Sequence, residues 1–414
     1  MEFEILKGTK DSTPDEQIII NQITDVMRKN FESYGFRPFD TPVIEYFDTL
    51  TNKYDENDEI VQEIFKLSDR GDRKLGLRYD LTIPLCRYIS SQKQIKLPFR
   101  RYQLAKVFRD GPIKKGRLRE FMQCDCDIIG TSGQEVEAEL LTLFYETYKE
   151  IGINAIIEVN NNKILRGALL QNGFEENELQ SLILSIDKLK KIGEKGVLDE
   201  IKQKGFDIDR AKNSLDILRS MSFKEIENKS TNEILLEGIN ELKTLSKLLR
   251  SQRIKFAINF SMARGLNIYT GNIWEAYDSD KSITSSIGSG GRYDKAIGNF
   301  IDDGRDFPAV GISFGLVPIM ACLEDRIKQK QGVSEVLICP LDKSLVPTAL
   351  KIAKKFRKNK TKTEVYYEYK LKKAFDYADY IGAKKIVIIG KKDIEEKKYT
   401  VKNLKTRKEI RVKI

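Results

Sequence analysis

An α+β fold is predicted by three features of this 414-residue sequence. Segments rich in β-formers and amphipathic helical stretches are interspersed through residues 1–325, the region about 160–250 reads as helical throughout, and residues 333–414 return to short strands alternating with helices. The expected architecture is an antiparallel sheet flanked by helices, interrupted by a helical insertion and followed by a small α/β domain. The length agrees, since roughly 100 to 200 residues per domain gives two or three domains.

From the N-terminus, Ile18, Ile19, Ile23, Val26, Met27 and Phe31 recur at helical spacing, and Tyr34-Gly35 ends the pattern, so residues 15–33 should form an amphipathic helix. Segments around 75–80, 100–109 and 118–129 mix β-formers with polar residues. The last two flank Asp110-Gly-Pro-Ile-Lys-Lys-Gly116 and read as an antiparallel pair joined by a basic loop. Residues 135–150 read as a helix. The polar stretch 160–250, rich in Leu, Ile and Lys, places apolar residues every three or four positions and reads as the helical insertion. β signals return at 255–278, a Ser/Gly-rich turn is expected at 284–291, and Phe307-Pro308 leads into an apolar strand and helix that close the body near 325. Beyond a polar linker at 328–332, strands are expected at 336–340, 364–367 and 385–389 with helices at 344–358 and 370–381 between them. That alternation implies a largely parallel or mixed sheet.

Composition narrows the chemistry. Hydrophobic residues at 40% and charged residues at 32% describe a globular protein rather than a disordered one. The first residues lack the basic and apolar regions of a secretory signal, and no apolar run approaches about 18 residues, so a cytoplasmic protein with no membrane segment is expected. Five scattered cysteines (Cys86, Cys124, Cys126, Cys322, Cys339) fit reduced thiols better than a disulfide framework. Cys124 and Cys126 form only a Cys-x-Cys, better read as buried strand residues than as zinc ligands. The chain contains no histidine, which removes every mechanism that activates a nucleophile through imidazole. Carboxylates, arginines and bound metal must carry any catalysis. Two explanations of that absence stay open: a chain still translated when histidine is scarce, or compositional drift. The net charge of +10 is local, because residues 333–414 hold 23 Lys and Arg against 10 Asp and Glu, leaving the remainder slightly acidic. Such a segment suits contact with a nucleic-acid backbone, or is simply a Lys-rich solvated surface.

One constellation carries chemistry on its own residues. Arg109, Arg117 and Arg119 stand at the two feet of the basic loop, and period-2 geometry places Arg117, Arg119, Phe121, Gln123, Asp125 and Asp127 on one face of the returning strand. Guanidinium, ring, amide and carboxylate in succession can hold a nucleotide phosphate, its base and a small polar substrate. A solvated strand face with chance charge alternation is the bland alternative.

This segment resembles motif 2 of class II aminoacyl-tRNA synthetases in its histidyl form. Phe31-x-x-Tyr-Gly-Phe36, continuing to Thr41-Pro42-x-x-Glu45, is similar to motif 1, and Leu77-Arg-Tyr-Asp80-Leu-Thr82-Ile-Pro84 to the family's substrate-binding strand and turn. Arg264-Gly-Leu-Asn-Ile-Tyr269-Thr-Gly271 and Gly288-Ser-Gly-Gly-Arg292-Tyr293-Asp294 resemble two signatures of the histidyl-tRNA synthetase family. Alone, the glycine-rich block reads as an ordinary β-turn and Arg264 as a surface arginine. The resemblance implies a class II catalytic domain at 1–325 and an anticodon-binding domain at 333–414, including Val401-Lys-Asn-Leu404. It implies a homodimer built on motif 1, and ATP, histidine and tRNA(His) as partners. Histidine would first react with ATP to give histidyl-adenylate, with Mg2+ accompanying the pyrophosphate, and would then pass to the 3′-terminal ribose of the tRNA. Residue by residue, Arg109 would bind the α-phosphate beside the histidine, Arg117 the outer phosphates, and Phe121 would stack on adenine. Asp80, Thr82 and Gln123 would hold the α-ammonium, Asp127 and Tyr269 the imidazole nitrogens, Tyr293 would close the pocket, and Arg264 would sit between the substrate carboxylate and the α-phosphate.

The chain departs from that pattern at five positions. Motif 2 usually reads Phe-Arg-x-Glu, but Gly111 follows Asp110 here. Motif 3 usually ends Gly-x-Glu-Arg, but Gly315 is followed by Leu316, Val317 and Pro318, which leaves the γ-phosphate without its usual arginine. Asn267 and Ile268 stand where Asp and Tyr are usual. Such drift suits a paralogue. A second reading is therefore a histidine-sensing regulator of the kind associated with ATP phosphoribosyltransferase, and a pure RNA-binding module is a third. Lys114 and Lys115 are candidate acceptor-stem contacts.

Overall fold

The computed structural model describes residues 3–52, 59–113, 117–264, 268–301, 307–324 and 332–414. Lys114, Lys115, Asn267 and most of the linker at 328–332 lie outside the described residues. The chain divides into two compact units, one comprising Met1–Lys10 and Ile23–Cys322, the other Asp11–Gln22 and Leu323–Ile414.

The strands are β1 (Arg37–Pro38), β2 (Ile44–Tyr46), β3 (Lys66–Ser68), β4 (Lys74–Leu77), β5 (Phe99–Phe108), β6 (Glu120–Ile129), β7 (Ala155–Asn161), β8 (Phe256–Ile258), β9 (Asn272–Asp278), β10 (Gly288–Arg292) and β11 (Ala309–Gly315), followed by β12 (Val336–Pro340), β13 (Thr363–Val365), β14 (Lys385–Ile389), β15 (Lys398–Asn403) and β16 (Glu409–Lys413). Among the described residues, the first unit holds an eight-stranded sheet in the order β1-β5-β6-β11-β10-β9-β7-β8 and a small sheet β2-β4-β3. The six central strands of the large sheet pair antiparallel, with one parallel strand at each edge. The α+β class expected from the sequence is the one observed.

Strand alternation gives the sheet two different faces. On one, the register brings Leu104, Cys124, Phe314, Gly288, Ala276 and Ile157 into one row across the strands. Phe314 meets Phe31 (5.8 Å between ring centroids), Phe144 (4.7 Å) and Tyr148 (5.1 Å). Helices Pro14–Ser33 and Gln134–Ile151 supply those rings, which join the fully buried Cys124 and Cys126 in the core.

The Ser/Gly-rich stretch expected as a turn at 284–291 is a turn only in part: from Gly288 onward it is the central strand β10, paired on both sides. Packing supplies the reason. A Cβ at Gly290 would lie 2.1 Å from the Gly311 carbonyl and 2.5 Å from Trp274 Nε1, and one at Gly288 would lie 2.4 Å from the Tyr148 hydroxyl. The glycines let large rings cross the strand, a role indistinguishable in sequence from turn chemistry.

The insertion is helical from Asn162 to Ser251, with helices begun by side-chain caps at Asn161, Asp207, Ser222 and Asn232. Its helix Leu189–Gln203 docks on the sheet through Lys190, which pairs with Glu158 at 2.7 Å and lies 4.3 Å above the Tyr277 ring.

In the second unit β13, β12 and β14 run parallel, as the alternation implies, and β15 and β16 add antiparallel strands that the sequence reading left out. In β15 Tyr399 and Val401 point inward between lysines, and β16 is largely exposed, so neither carries a strong apolar signal. Helices Val346–Lys358 and Leu371–Tyr380 bury Ala349, Ile352, Ala353, Ala374 and Ala378 against the sheet.

Gly290→Ala forces a methyl into the space of the Gly311 carbonyl, and overpacking of this kind costs about 1–3 kcal/mol. Its thermal midpoint, followed by circular dichroism, is expected several degrees below that of the parent, and an unchanged midpoint would refute this account of the glycine strand.

Candidate active site

The opposite face of the same sheet is polar. One register row runs Gln103, Asp125, Ser313, Ser289, Glu275 and Glu158, and the next begins Arg101, Asp127, Gly311 and Gly291. Two glycines open room in the second row. A Cβ at Gly311 would lie 2.0 Å from Asp127 Oδ1, and one at Gly291 would lie 2.7 Å from the Tyr269 ring.

Asp127 is fixed from two sides. The Tyr293 hydroxyl donates to its Oδ1 at 2.5 Å, and the fully buried Arg101 pairs with its Oδ2 at 2.8 Å. Arg101 also donates to the Leu81 carbonyl at 3.0 Å and to Gln103 Oε1 at 3.3 Å. Gln123 donates to the Ser313 hydroxyl at 3.1 Å, and among the described residues its own Oε1, like Asp125 Oδ1, is a buried acceptor with no hydrogen-bond partner. Farther along, Arg264 pairs with Glu275, donates to Ser289 Oγ at 3.0 Å and is hydrogen-bonded to Tyr269.

The feet of the basic loop form a second group. Arg109 donates to the Tyr79 carbonyl at 3.1 Å and lies 5.2 Å above the Phe121 ring. Asp80 accepts from the backbone N–H of Ile83 at 3.0 Å, where Thr82 opens helix Thr82–Ser91. Arg117 donates through Nη2 to both oxygens of Glu63, at 2.6 and 2.7 Å.

Burial pushes Asp80 up to about 6 against the pull of the Ile83 N–H and Arg109, and pushes Asp125 up to about 7, opposed by Arg101 and reinforced by Asp127. Asp127 is raised by burial and held back by Arg101 and the Tyr293 hydroxyl. Burial works against the charge of Arg264, but Glu275, Tyr269 and Asp187 hold its guanidinium above the ordinary value. The floor therefore offers acceptors to a cationic or N–H-bearing ligand, with guanidiniums of Arg109, Arg117 and Arg264 available for anions.

The structure brings Asp127 to Tyr293, Arg264 to Tyr269, and Arg109 to Phe121 and Asp80. It gives Arg117 and Arg264 carboxylate partners, Glu63 and Glu275, that the sequence reading did not single out. Arg101 and Ser313 were also missed. Arg101 shares strand parity with Arg109 and faces Asp127 across β5 and β6, so alternation alone could have flagged it. Glu63 is remote in sequence and carried no such signal. Arg292 of the glycine-rich block serves as an anchor, in a buried pair with Glu137 at 2.5 Å. Pro318 lies in the first turn of helix Leu316–Cys322, and Ile268 packs with Tyr269 in an apolar cluster beside Leu85 and Tyr293. Among the described residues, no group of three or more Cys, Asp or Glu side chains is placed to hold a metal ion.

The profile of the histidyl-tRNA synthetase family matches residues 8–319, and that of the anticodon binding domain matches residues 335–414. Histidine–tRNA ligase 1 of Bacillus cereus is 38% identical over 420 residues, covering 100% of this chain and 95% of the relative. The crystal structure of histidyl-tRNA synthetase from Nostoc sp. PCC 7120 superposes with a TM-score of 0.85 at 28% identity, covering 100% of this chain and 97% of that one. A Bacillus halodurans structure described as an ATP phosphoribosyltransferase regulatory subunit/histidyl-tRNA synthetase gives a TM-score of 0.77 at 19% identity, with 93% and 98% covered, and shares the fold.

Because the folded-state value of Asp125 is raised to about 7, the stability it contributes is present below about pH 4 and is lost as pH rises through about 7. Asp125→Asn should therefore melt above the parent at pH 8, by several degrees, with the gap closing at pH 5. Equal gaps at both values, read by scanning calorimetry, would show that Asp125 does not titrate in this range.

Proposed function

The chain belongs to the histidyl-tRNA synthetase family, and from that premise we propose how its polar sheet face carries out the reaction. The chain is an aminoacyl-tRNA ligase that activates histidine with ATP and transfers it to tRNA. The observation that supports the assignment of residues is the ladder itself. One face of one sheet presents Gln123, Asp125 and Asp127 on β6, with Tyr293, just past β10, on Asp127, and Arg264 and Tyr269, from the segment between β8 and β9, joined to each other and to Glu275 and Ser289 on β9 and β10.

Histidine's α-ammonium goes to Asp80, Thr82 and Gln123, and its imidazole to Asp127 and Tyr269, with Tyr293 closing the pocket. Donors on the ligand then meet acceptors on the floor. ATP lies against the loop feet, with adenine on Phe121, the α-phosphate at Arg109 and the outer phosphates at Arg117. The histidine carboxylate attacks the α-phosphorus, the bond to the β-phosphate oxygen breaks, and pyrophosphate leaves. Two anions must approach for this, and Arg264, fixed by Glu275 and Ser289, offsets their repulsion and the charge that develops. The terminal ribose hydroxyl of the tRNA then attacks the acyl carbon and AMP departs. No protein nucleophile takes part, which suits a chain without histidine.

Mg2+ enters as part of the ATP substrate, and the steps above use only the chain's own residues. Residues 333–414 are the anticodon-binding domain, and their lysines serve the tRNA backbone. A homodimer and a cytoplasmic location complete the reading; among the described residues, no helix is long and apolar enough to cross a membrane. A regulatory relative shares the fold, so the fold alone does not separate ligase from sensor; the full-length match to a histidine–tRNA ligase favours the ligase.

Purified protein should catalyse histidine-dependent ATP–pyrophosphate exchange, and Arg264→Ala should lose roughly 10²- to 10³-fold in kcat, as removal of a transition-state donor does. Histidine binding without exchange in the parent protein would replace the ligase with the sensor.

A further inference from the structure

We propose that Glu63 is the positioning residue of Arg117, supplying from a remote segment the carboxylate that motif 2 usually carries at position 111. The inference rests on the ATP-site reading above and adds to it a residue outside every motif. Glu63 follows the short helix Glu59–Gln62, and its backbone carbonyl accepts from the Asp110 N–H at 2.7 Å, which ties this segment to the first foot of the loop. Its side chain is 8% exposed, and both carboxylate oxygens accept from Arg117 Nη2.

The decisive contact is with Gly111. A Cβ at that position would lie 2.4 Å from Glu63 Oε1 and 2.6 Å from its Cδ. The carboxylate of Glu63 therefore fills the space where a side chain at 111 would begin. A glutamate at 111 and Glu63 in its present place exclude each other by volume, and two carboxylates there would also repel. The glycine at 111 is thus the counterpart of Glu63 and not a loss of the site.

The pair has a direction. The carboxylate is buried while the Arg117 side chain is 40% exposed, so the guanidinium is held at its inner end and presented outward. The contact to Glu63 uses one of its three nitrogens. A planar fork anchored in this way meets a phosphate with less loss of rotamer freedom than a free arginine would. Arg109 stands close enough that Glu63 and Arg117 both act on its charge, so Glu63 also relieves the repulsion between the two arginines.

The test is an exchange of carboxylates between the two positions. ATP and histidine KM values are measured by pyrophosphate exchange, and MgATP affinity by titration calorimetry, for the parent, Glu63→Gln, Gly111→Glu, and the double variant Glu63→Ala with Gly111→Glu. Loss of a charged hydrogen-bond partner should raise the ATP KM of Glu63→Gln roughly 10- to 100-fold with the histidine KM unchanged. Gly111→Glu alone should be impaired by collision, and the double variant should return to within a few-fold of the parent. An unchanged ATP KM in Glu63→Gln, or a double variant no better than Gly111→Glu alone, overturns the proposal, and a merely structural role would move both KM values together. If the parent shows no exchange but binds MgATP, the ligase reading fails while calorimetry on the same four proteins still decides the role of Glu63. If the parent binds no MgATP, both fall.

Discussion

On the polar face, on the strand next to one edge of the sheet, lies a guanidinium with no solvent contact. Arg101 pairs with Asp127, reaches the carbonyl that precedes helix Thr82–Ser91, and steadies Gln103, while its charge opposes the burial that raises Asp80, Asp125 and Asp127. Three carboxyl groups so close together would otherwise hold protons and turn acceptors into donors. A buried ion pair is a poor device for stability, because desolvation opposes the Coulomb gain. Here its effect is to hold these carboxyl groups nearer to ionisation than burial alone would leave them.

The rest of the site is arranged by the same logic of fixed charges on rigid strands. Arg264 is braced by Glu275 and Ser289, and Arg292 is braced by Glu137 beneath the glycine strand. Arg264 and Arg292 each have a carboxylate partner, so each guanidinium is held in a fixed orientation. This matters for phosphoryl chemistry, in which geometry and preorganised charge supply most of the acceleration. A Ser-His-Asp apparatus has no part in such a reaction, and the absence of imidazole from the chain removes nothing that it needs.

Much of the fold was legible because it rests on local periodicity. The helix at 14–33, the β5–β6 pair, the helical insertion and the parallel core of the second unit all declare themselves in apolar spacing. Gly288–Arg292 did not, since a run of glycine reads as a turn unless one knows which rings must pass across it. Strands β15 and β16 were hidden by lysines on the solvent side. At the site, residues that share a strand were readable: Phe121, Gln123 and Asp127 fall on one face of β6 by alternation, and Arg109 stands at the foot of the loop before it. Glu63, Glu275 and Ser313 were not, because each acts through a partner distant in sequence, and only register or loop closure brings the two together.

The two faces of the large sheet are written by the same strands, one residue out of phase. Cys124 and Cys126 lie in the core while Gln123, Asp125 and Asp127 line the polar face, and β11 repeats the arrangement with Phe314 behind and Ser313 in front. A single inserted or deleted residue in β6, β10 or β11 would turn the sheet inside out, bringing aspartates against the aromatic core and cysteines onto the polar face. Insertions and deletions are therefore tolerable in the loops and the helical insertion, whereas the central strands admit only substitutions. The sheet is a fixed reading frame, and changes of length belong outside it.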